Sequence, residues 1–94
     1  MIDIKHLNHG QKGSFDLYYE GTKAGNMTYT SAGKDKIIID HTEVSPEYGG
    51  KGLAKELVFA GAAYARENGK KIIPLCTYAK STFEKHRELH DVLA

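Results

Sequence analysis

The sequence lacks the features on which several specialised protein classes depend. Its single cysteine, Cys76, can form no internal disulfide and cannot complete a multi-thiolate metal site. No apolar run approaches the roughly 20 residues that cross a bilayer. The first residues also lack the apolar segment of a signal peptide. A membrane protein and a disulfide-stabilised secreted protein are therefore disfavoured, and the cytoplasm is the expected compartment.

An excess of charge of one sign is also lacking. The 13 basic and 12 acidic residues give a formal net charge of +1 and are spread along the chain without a block of like charge. This argues against a nucleic-acid-binding surface. No repeat, linker or low-complexity stretch divides the 94 residues, of which 40% are hydrophobic. A chain this short seldom buries two cores, so residues 1–94 are expected to form one domain.

The first half of the chain has the alternation that is typical of strands. Apolar residues alternate in 14–20, and a short polar connection leads to 24–30, which is rich in threonine and aromatic residues. These two segments predict a hairpin. After a second turn, 36–44 begins with consecutive β-branched residues and predicts a central strand that is buried on both faces at its start.

The second half changes to a helical period. Apolar residues spaced by three and four predict a helix from about Gly50 to Asn68, followed by an apolar strand at 71–76 and a second helix at 79–89. The predicted order is β-β-β-β-α-β-α. The strands that flank the first helix form a crossover unit, which should be right-handed and make those two strands parallel.

A glycine loop connects the strand at 36–44 to the first helix. Gly49, Gly50 and Gly52 are three glycines within four residues. The first N–H groups of a helix lack partners and carry positive potential, so an anion is favoured there. Lys51 and Lys55 oppose the helix dipole, and a bound polyphosphate would resolve that conflict. Alternatively, the glycines only make a tight turn and the lysines are solvated.

The loop differs from the common nucleotide-binding patterns. It has no Lys-Ser/Thr pair, as a nucleoside triphosphate loop requires, and no third glycine at the spacing of a dinucleotide fingerprint. Instead, Val44-x-Pro46-x-x-Gly49-Gly50-Lys51-Gly52-Leu53-Ala54 resembles the acyl-CoA loop of GCN5-related N-acetyltransferases, whose pattern is Val-x-Pro-x-x-(Arg/Gln)-Gly-x-Gly-(Ile/Leu)-(Gly/Ala). More narrowly, the chain is similar to short single-domain acetyltransferase-like proteins that carry Cys-x-Tyr after the strand following this helix.

The resemblance implies an α+β fold and a substrate. The expected fold is a truncated form of the family's, with about four antiparallel strands and one parallel strand, splayed between the fourth and fifth. Acetyl-CoA is the implied substrate, with its pyrophosphate on the backbone of the loop and its pantetheine arm along the preceding strand. The implied binding residues are Thr42, Glu43 and Val44 on the strand and Gly49, Gly50, Lys51, Gly52, Leu53, Ala54 and Lys55 in the loop and helix. Gly49 replaces the family's Arg/Gln, which removes a side chain and leaves the backbone donors.

Two departures from the family pattern bear on catalysis. Phe83 stands where a tyrosine of the family commonly protonates the leaving thiolate. The chain has no counterpart of the helices that shape the acceptor site, so that site should be open or completed by a partner protein. The resemblance therefore implies either an N-acetyltransferase or a non-catalytic acyl-CoA-binding module. A small interaction domain whose glycine loop is only a turn is the third hypothesis.

The residues that could carry acetyl transfer lie at the splay. Cys76, at the carboxyl end of its strand, could accept the acyl group as a thiolate, with His41 on the adjacent strand as its base. Glu43 could instead act as the base toward an amine through a water. The alternatives are a small buried cysteine, an exposed strand histidine and a solvated carboxylate. Tyr78 either replaces the missing acid or packs on the second helix with its hydroxyl in water. The remaining histidines are expected at the surface, with no metal site.

Overall fold

The computed structural model describes residues 1–94, and its element order is the predicted β-β-β-β-α-β-α. The strands are β1 (Ile2–His9), β2 (Lys12–Tyr19), β3 (Thr22–Ser31), β4 (Lys36–Val44) and β5 (Lys71–Pro74), and the helices are α1 (Leu53–Glu67) and α2 (Thr77–Lys85). Short 3₁₀ turns occupy Pro46–Tyr48 and Arg87–Val92. The strands form one sheet in the order β1-β2-β3-β4-β5, antiparallel throughout except for the parallel pair β4 and β5. The predicted fold class is confirmed.

One predicted burial pattern and two helix boundaries were wrong. β4 lies inside the sheet, between β3 and β5, as predicted, but its start is fully buried on one face only, since Ile37 and Ile39 are buried whereas Lys36 is exposed and Ile38 is half-buried. Helix α1 begins at Leu53 rather than near Gly50, because Gly50 and Gly52 have φ values of 78° and 74° in the left-handed region, which no right-handed helix contains. Helix α2 runs from Thr77 to Lys85 instead of 79–89, and the chain then continues in the 3₁₀ turn.

The core lies on one face of the sheet. Phe15, Met27 and Ile39, on three neighbouring strands, are fully buried on the face that α1 covers. Helix α1 approaches this face at Gly61, where an added Cβ would lie 2.7 Å from Met27 Cε. No helix covers the opposite face, where Thr28 of β3 is paired with His41 of β4. Neither helix is long and apolar enough to cross a membrane.

Strands β4 and β5 separate after four residue pairs. They are paired from Lys36 and Lys71 to Ile39 and Pro74. The N–H groups of Leu75 and Cys76 then both donate to the carbonyl of Ile39, at 3.1 and 3.3 Å, before the chain turns into α2. The second half of β4 consequently has no strand beside it on that edge, which is the predicted splay.

Candidate functional site

Six consecutive backbone N–H groups have no acceptor at the start of α1. The N–H of Gly49 donates to Pro46 O at 3.0 Å, and the N–H of Glu56 donates to Gly52 O at 3.2 Å as the first bond of the helix. Between these two bonds, no N–H from Gly50 to Lys55 meets a backbone or side-chain acceptor, and Gly52 provides no side-chain cap. Unpaired donors at a helix start form a ready site for an anion.

The lysines of this segment leave its positive potential uncompensated. Lys51 Nζ lies 5.1 Å from the centre of the Tyr19 ring and Lys55 Nζ lies 6.0 Å from the centre of the Phe59 ring. Neither ammonium is within ion-pair distance of a carboxylate, although Glu56 follows in the same turn. Because cations add to the positive end of the helix dipole, this surface favours an anionic ligand.

The loop forms one wall of a small pocket. The pocket is lined by strand, loop and helix residues, namely Val44, Tyr48, Gly49, Gly50, Gly52, Leu53, Ala54 and Tyr78. Tyr78 belongs to the first turn of α2 and is 40% exposed. Tyr78 lines the loop pocket, and its two predicted roles, replacement acid or packing residue of the second helix, stay predictions. A phenol hydroxyl is therefore available beside the loop, although the chain lacks the tyrosine of the family pattern.

The free edge of β4 leads into this pocket. The N–H of Ser45 donates to Ala24 O at 2.8 Å, which fixes the residues of β4 that bond to β3. Because alternate residues of a strand direct their backbone groups to the same edge, His41 and Glu43 face β3. Thr42 and Val44 face the edge that β5 has left. Their backbone groups can pair with an extended ligand as a further strand would.

Cys76 lies where the two strands separate, half-buried and with a free thiol. It caps the N-terminus of α2, because the N–H of Ala79 donates to Cys76 Sγ at 3.2 Å. The thiol donates in turn to Thr42 Oγ1 at 3.3 Å. The structure thus brings Cys76 to Thr42 of the β4 edge. Cysteine is not among the usual N-cap residues, so no sequence signal marked this cap or the start of α2 at Thr77.

The predicted bases lie on a different face from the thiol. His41 and Glu43 alternate with Thr42 along β4, and both are exposed on the uncovered face of the sheet. No hydrogen bond joins His41 to Cys76. Phe83, which stands at the family's tyrosine position, is only 1% exposed and belongs to the core. Its ring is therefore turned away from the site.

Histidines outside this region are engaged by aromatic and backbone partners. His6 stacks on Phe15 at 4.3 Å between ring centres, and its Nε2 is hydrogen-bonded to the Tyr29 hydroxyl at 2.5 Å. His90 Nε2 contacts Phe83 O at 2.6 Å. No group of three or more His, Cys, Asp or Glu side chains is arranged to hold a metal ion. The site consists of the loop, the β4 edge and the start of α2.

Comparisons with known proteins agree with this arrangement. The family model described as GCN5-related N-acetyl-transferase matches residues 14–92. A GCN5-like protein of Staphylococcus aureus, solved by NMR in solution, is 36% identical over 96% of this chain and 87% of its own, with a TM-score of 0.73. A comparison with curated proteins gives no match.

Two more distant structures share the fold. A ribosomal-protein-alanine N-acetyltransferase of Brucella melitensis is 16% identical, with a TM-score of 0.75 and 90% of each chain covered. A GNAT family acetyltransferase of Elizabethkingia anophelis, whose structure has acetyl-CoA bound, is 10% identical, with a TM-score of 0.72, and the match covers 89% of this chain and 72% of that one. At these identities the likeness concerns the fold alone.

Proposed function

The chain belongs to the GCN5-related N-acetyltransferase family, and from that premise we propose that it binds acetyl-CoA at the glycine loop and transfers the acetyl group to an amine. The observation that carries the proposal is the run of six unpaired N–H groups from Gly50 to Lys55. A pyrophosphate presents several acceptor oxygens and two negative charges, which match consecutive donors at a helix start. Acetyl-CoA bound to the Elizabethkingia anophelis protein of the same fold supports this choice of ligand.

In this proposal the rest of the coenzyme follows the free edge of β4. The pantetheine arm contains two amide groups, and the unpaired backbone groups of Thr42 and Val44 offer them strand-like hydrogen bonds. The pyrophosphate anchors one end of the arm at the loop, where Lys51 and Lys55 add charge attraction. The thioester then reaches the point where β4 and β5 separate, beside Cys76.

We propose Cys76 as the group that receives the acetyl. Its sulfur lies at the first turn of α2 and accepts the N–H bond of Ala79, which holds it where β4 and β5 separate. The thiolate is the nucleophilic form of cysteine. The thiol proton leaves along the existing bond to Thr42 Oγ1 toward water. The thiolate attacks the thioester carbon, the carbon–sulfur bond to the coenzyme breaks, and the coenzyme thiolate takes a proton from Tyr78 or water.

The amine is proposed to approach from the uncovered face of the sheet, around the free edge of β4 to the thiol. It attacks the acetyl carbon on Cys76, the sulfur leaves as thiolate, and the amine loses a proton. Glu43 or His41, both exposed on that face, would take the proton through a water. His41 as the base for the Cys76 thiol stays a prediction.

The open face leaves room for a partner protein that supplies or shapes the acceptor. The cytoplasm remains the predicted compartment.

A non-catalytic acyl-CoA-binding module is the second candidate. One observation favours it: the position of the family's catalytic tyrosine holds Phe83, whose ring is buried in the core. The two candidates share the coenzyme site and differ only in turnover. Saturable binding without product formation across a panel of amines would select the binding module.

Calorimetric titration of two glycine variants tests the coenzyme site. Gly52 and Gly21 both have left-handed φ values, and an added Cβ would meet no atom within 4 Å at either position. Alanine at each position therefore costs the same backbone strain, about 1 kcal/mol. Only Gly52→Ala strains the loop that carries the donors and adds a methyl group to it.

We expect Gly52→Ala to weaken acetyl-CoA binding roughly tenfold and Gly21→Ala to leave it within about twofold. Unfolding in urea should show equal losses of stability for the two variants. Equal affinities for the two variants would refute the loop as the binding site.

A further inference from the structure

The outer edge of β1 is unoccupied along its whole length. The N–H of Glu20 donates to Met1 O at 3.0 Å, and β1 and β2 are paired without a bulge. Alternation then directs the backbone groups of Asp3, Lys5 and Leu7 toward β2. The backbone groups of Ile2, Ile4 and His6 point outward and have no partner. Such an edge can add another strand unless the protein blocks it.

Two apolar side chains of β1 are unusually exposed to solvent. Ile2 is 40% and Leu7 is 43% exposed, so they are two of the five large hydrophobic side chains that the fold leaves in water. Helix α1 packs over β2, β3, β4 and β5. It contacts β1 at His6, whose ring centre lies 4.5 Å from that of Tyr64, and this contact is made on the face of the sheet and not at its edge. The strand is not short and contains no proline or bulge, which are three of the devices that prevent edge pairing. A fourth device, charge on the edge strand, is present in both signs as Asp3 and Lys5.

The charges of β1 are arranged symmetrically about Ile4. Asp3 and Lys5 flank Ile4 on the uncovered face of the sheet, and neither forms an ion pair within the chain. Asp16, which lies opposite Lys5 on β2, is paired with Lys23 at 3.6 Å. Lys5 Nζ instead lies 5.1 Å from the centre of the Tyr18 ring. Two exposed and unpaired opposite charges therefore lie on either side of a residue whose backbone points outward.

We propose that β1 pairs antiparallel with β1 of a second copy of this chain, with Ile4 on the two-fold axis. In that register, Asp3 of each copy lies opposite Lys5 of the other, and the outward groups of Ile4 bond to those of its counterpart. Ile2 lies opposite His6, whose ring already stacks on Phe15. The two sheets join into one of ten strands, because each has five.

The charges select this register over its neighbours. Centring the pairing on Asp3 or on Lys5 would oppose two like charges directly, which destabilises a strand pair. Centring it on Ile2 or His6 would leave Asp3 and Lys5 without opposite charges. Only the Ile4 register forms two ion pairs. Because the same patch meets itself, the contact closes as a dimer and does not extend into a fibre.

Charge reversal and exchange test the proposed dimer. Sedimentation velocity over a concentration series should show a monomer–dimer equilibrium for the unchanged protein. Asp3→Lys and Lys5→Asp should each weaken dimerisation at least about tenfold, because each places like charges opposite one another. The double variant Asp3→Lys/Lys5→Asp restores opposite charges and should regain affinity to within about threefold.

The control Glu84→Lys changes an exposed charge on α2 by the same amount and should leave dimerisation unchanged. A chain that stays monomeric at every concentration would overturn the proposal. So would a double variant that associates no better than the single variants.

Disulfide trapping tests the register itself. In a Cys76→Ala background, chains with Asp3→Cys and chains with Lys5→Cys are oxidised separately and as a mixture. Facing residues of this pair type have Cα atoms about 4.5 Å apart, within disulfide range, whereas two copies of the same position lie diagonally. The mixture should form at least tenfold more crosslinked dimer than either variant alone. Equal crosslinking in the separate samples would overturn the Ile4 register.

Discussion

At the scale of single residues, the sulfur of Cys76 joins structure and proposed chemistry. It caps α2 through the N–H of Ala79 and donates to Thr42 on the free edge of β4. These two contacts hold the sulfur at the point where the coenzyme thioester is proposed to arrive. Another polar side chain can replace Cys76 as a helix cap, but not as a nucleophilic thiol. Substitution can therefore distinguish its role as a cap from its proposed role as acetyl acceptor.

We predict that Cys76→Ser keeps the fold and acetyl-CoA affinity, because serine is a good helix cap, but loses acetyl transfer. Cys76→Ala should lose transfer as well and also about 1 kcal/mol of stability. Mass spectrometry after mixing with acetyl-CoA should detect one acetyl group on the unchanged protein and none on either variant. Full turnover by Cys76→Ser would assign transfer to direct attack by the amine on acetyl-CoA.

The Tyr29 hydroxyl gives the folded state a dependence on alkaline pH. Burial, followed by the neighbouring Tyr64, raises the pKa of Tyr29 to about 12 from its ordinary value of 10.0. The folded state therefore keeps the proton while the unfolded chain loses it. The protonated Tyr29 hydroxyl therefore favours the folded state, and this contribution is fully present below pH 10. It amounts to up to about 3 kcal/mol and is lost as the pH rises through about 12.

Urea unfolding of the unchanged protein and of Tyr29→Phe should show this dependence. The free energy of unfolding should fall more steeply with pH between 10 and 12 for the unchanged protein than for the variant. Parallel pH dependences would contradict the assignment to Tyr29.

At the scale of elements, close backbone contacts hold β4 in position for the site. A Cβ added to Gly25 would lie 2.5 Å from the backbone oxygen of Glu43, whereas one added to Gly61 would meet only Met27 Cε, at 2.7 Å. Backbone cannot move aside as the end of a methionine side chain can. The two glycines therefore make a matched pair, one between strands and one between helix and sheet.

We predict that Gly25→Ala lowers the free energy of unfolding by about 1–3 kcal/mol, because β3 and β4 must separate. Gly61→Ala should change it by less than about 1 kcal/mol, since the gain in helix propensity offsets the shift of Met27. Acetyl-CoA affinity should fall in Gly25→Ala and hold in Gly61→Ala. The reverse order of stabilities would show that helix–sheet packing is the tighter constraint.

An element could be predicted correctly where a local sequence pattern marks its start and end. The bounds of β4 at Lys36–Val44 were predicted correctly, since β-branched residues and flanking turns mark them. The start of α1 was misplaced because left-handed Gly50 and Gly52 belong to the turn. Strand β1 was counted in the order without bounds, because the alternation of Ile2 to Lys5 is short and is broken at Leu7. The glycine loop was predicted, whereas the contact of Cys76 with Thr42 joins residues 34 apart and has no local signal.

At the scale of the whole molecule, the sheet divides the proposed reaction between two faces. The core and α1 lie on one face, and the other face carries His41 and Glu43 with no helix above them. In the proposed reaction, the coenzyme enters at the edge between these faces, where β4 and β5 separate. In this proposal, the coenzyme site and an open acceptor side both lie within the 94 residues.

The most direct test of the coenzyme site is a titration with coenzyme A followed by the backbone amide signals of the protein in NMR. The largest shifts should fall on the six amides from Gly50 to Lys55, with smaller shifts at Thr42 and Val44, and should saturate at one equivalent. Pantetheine, which lacks the pyrophosphate, should leave the six loop amides in place. Saturating coenzyme A that moves none of those six signals would contradict the account.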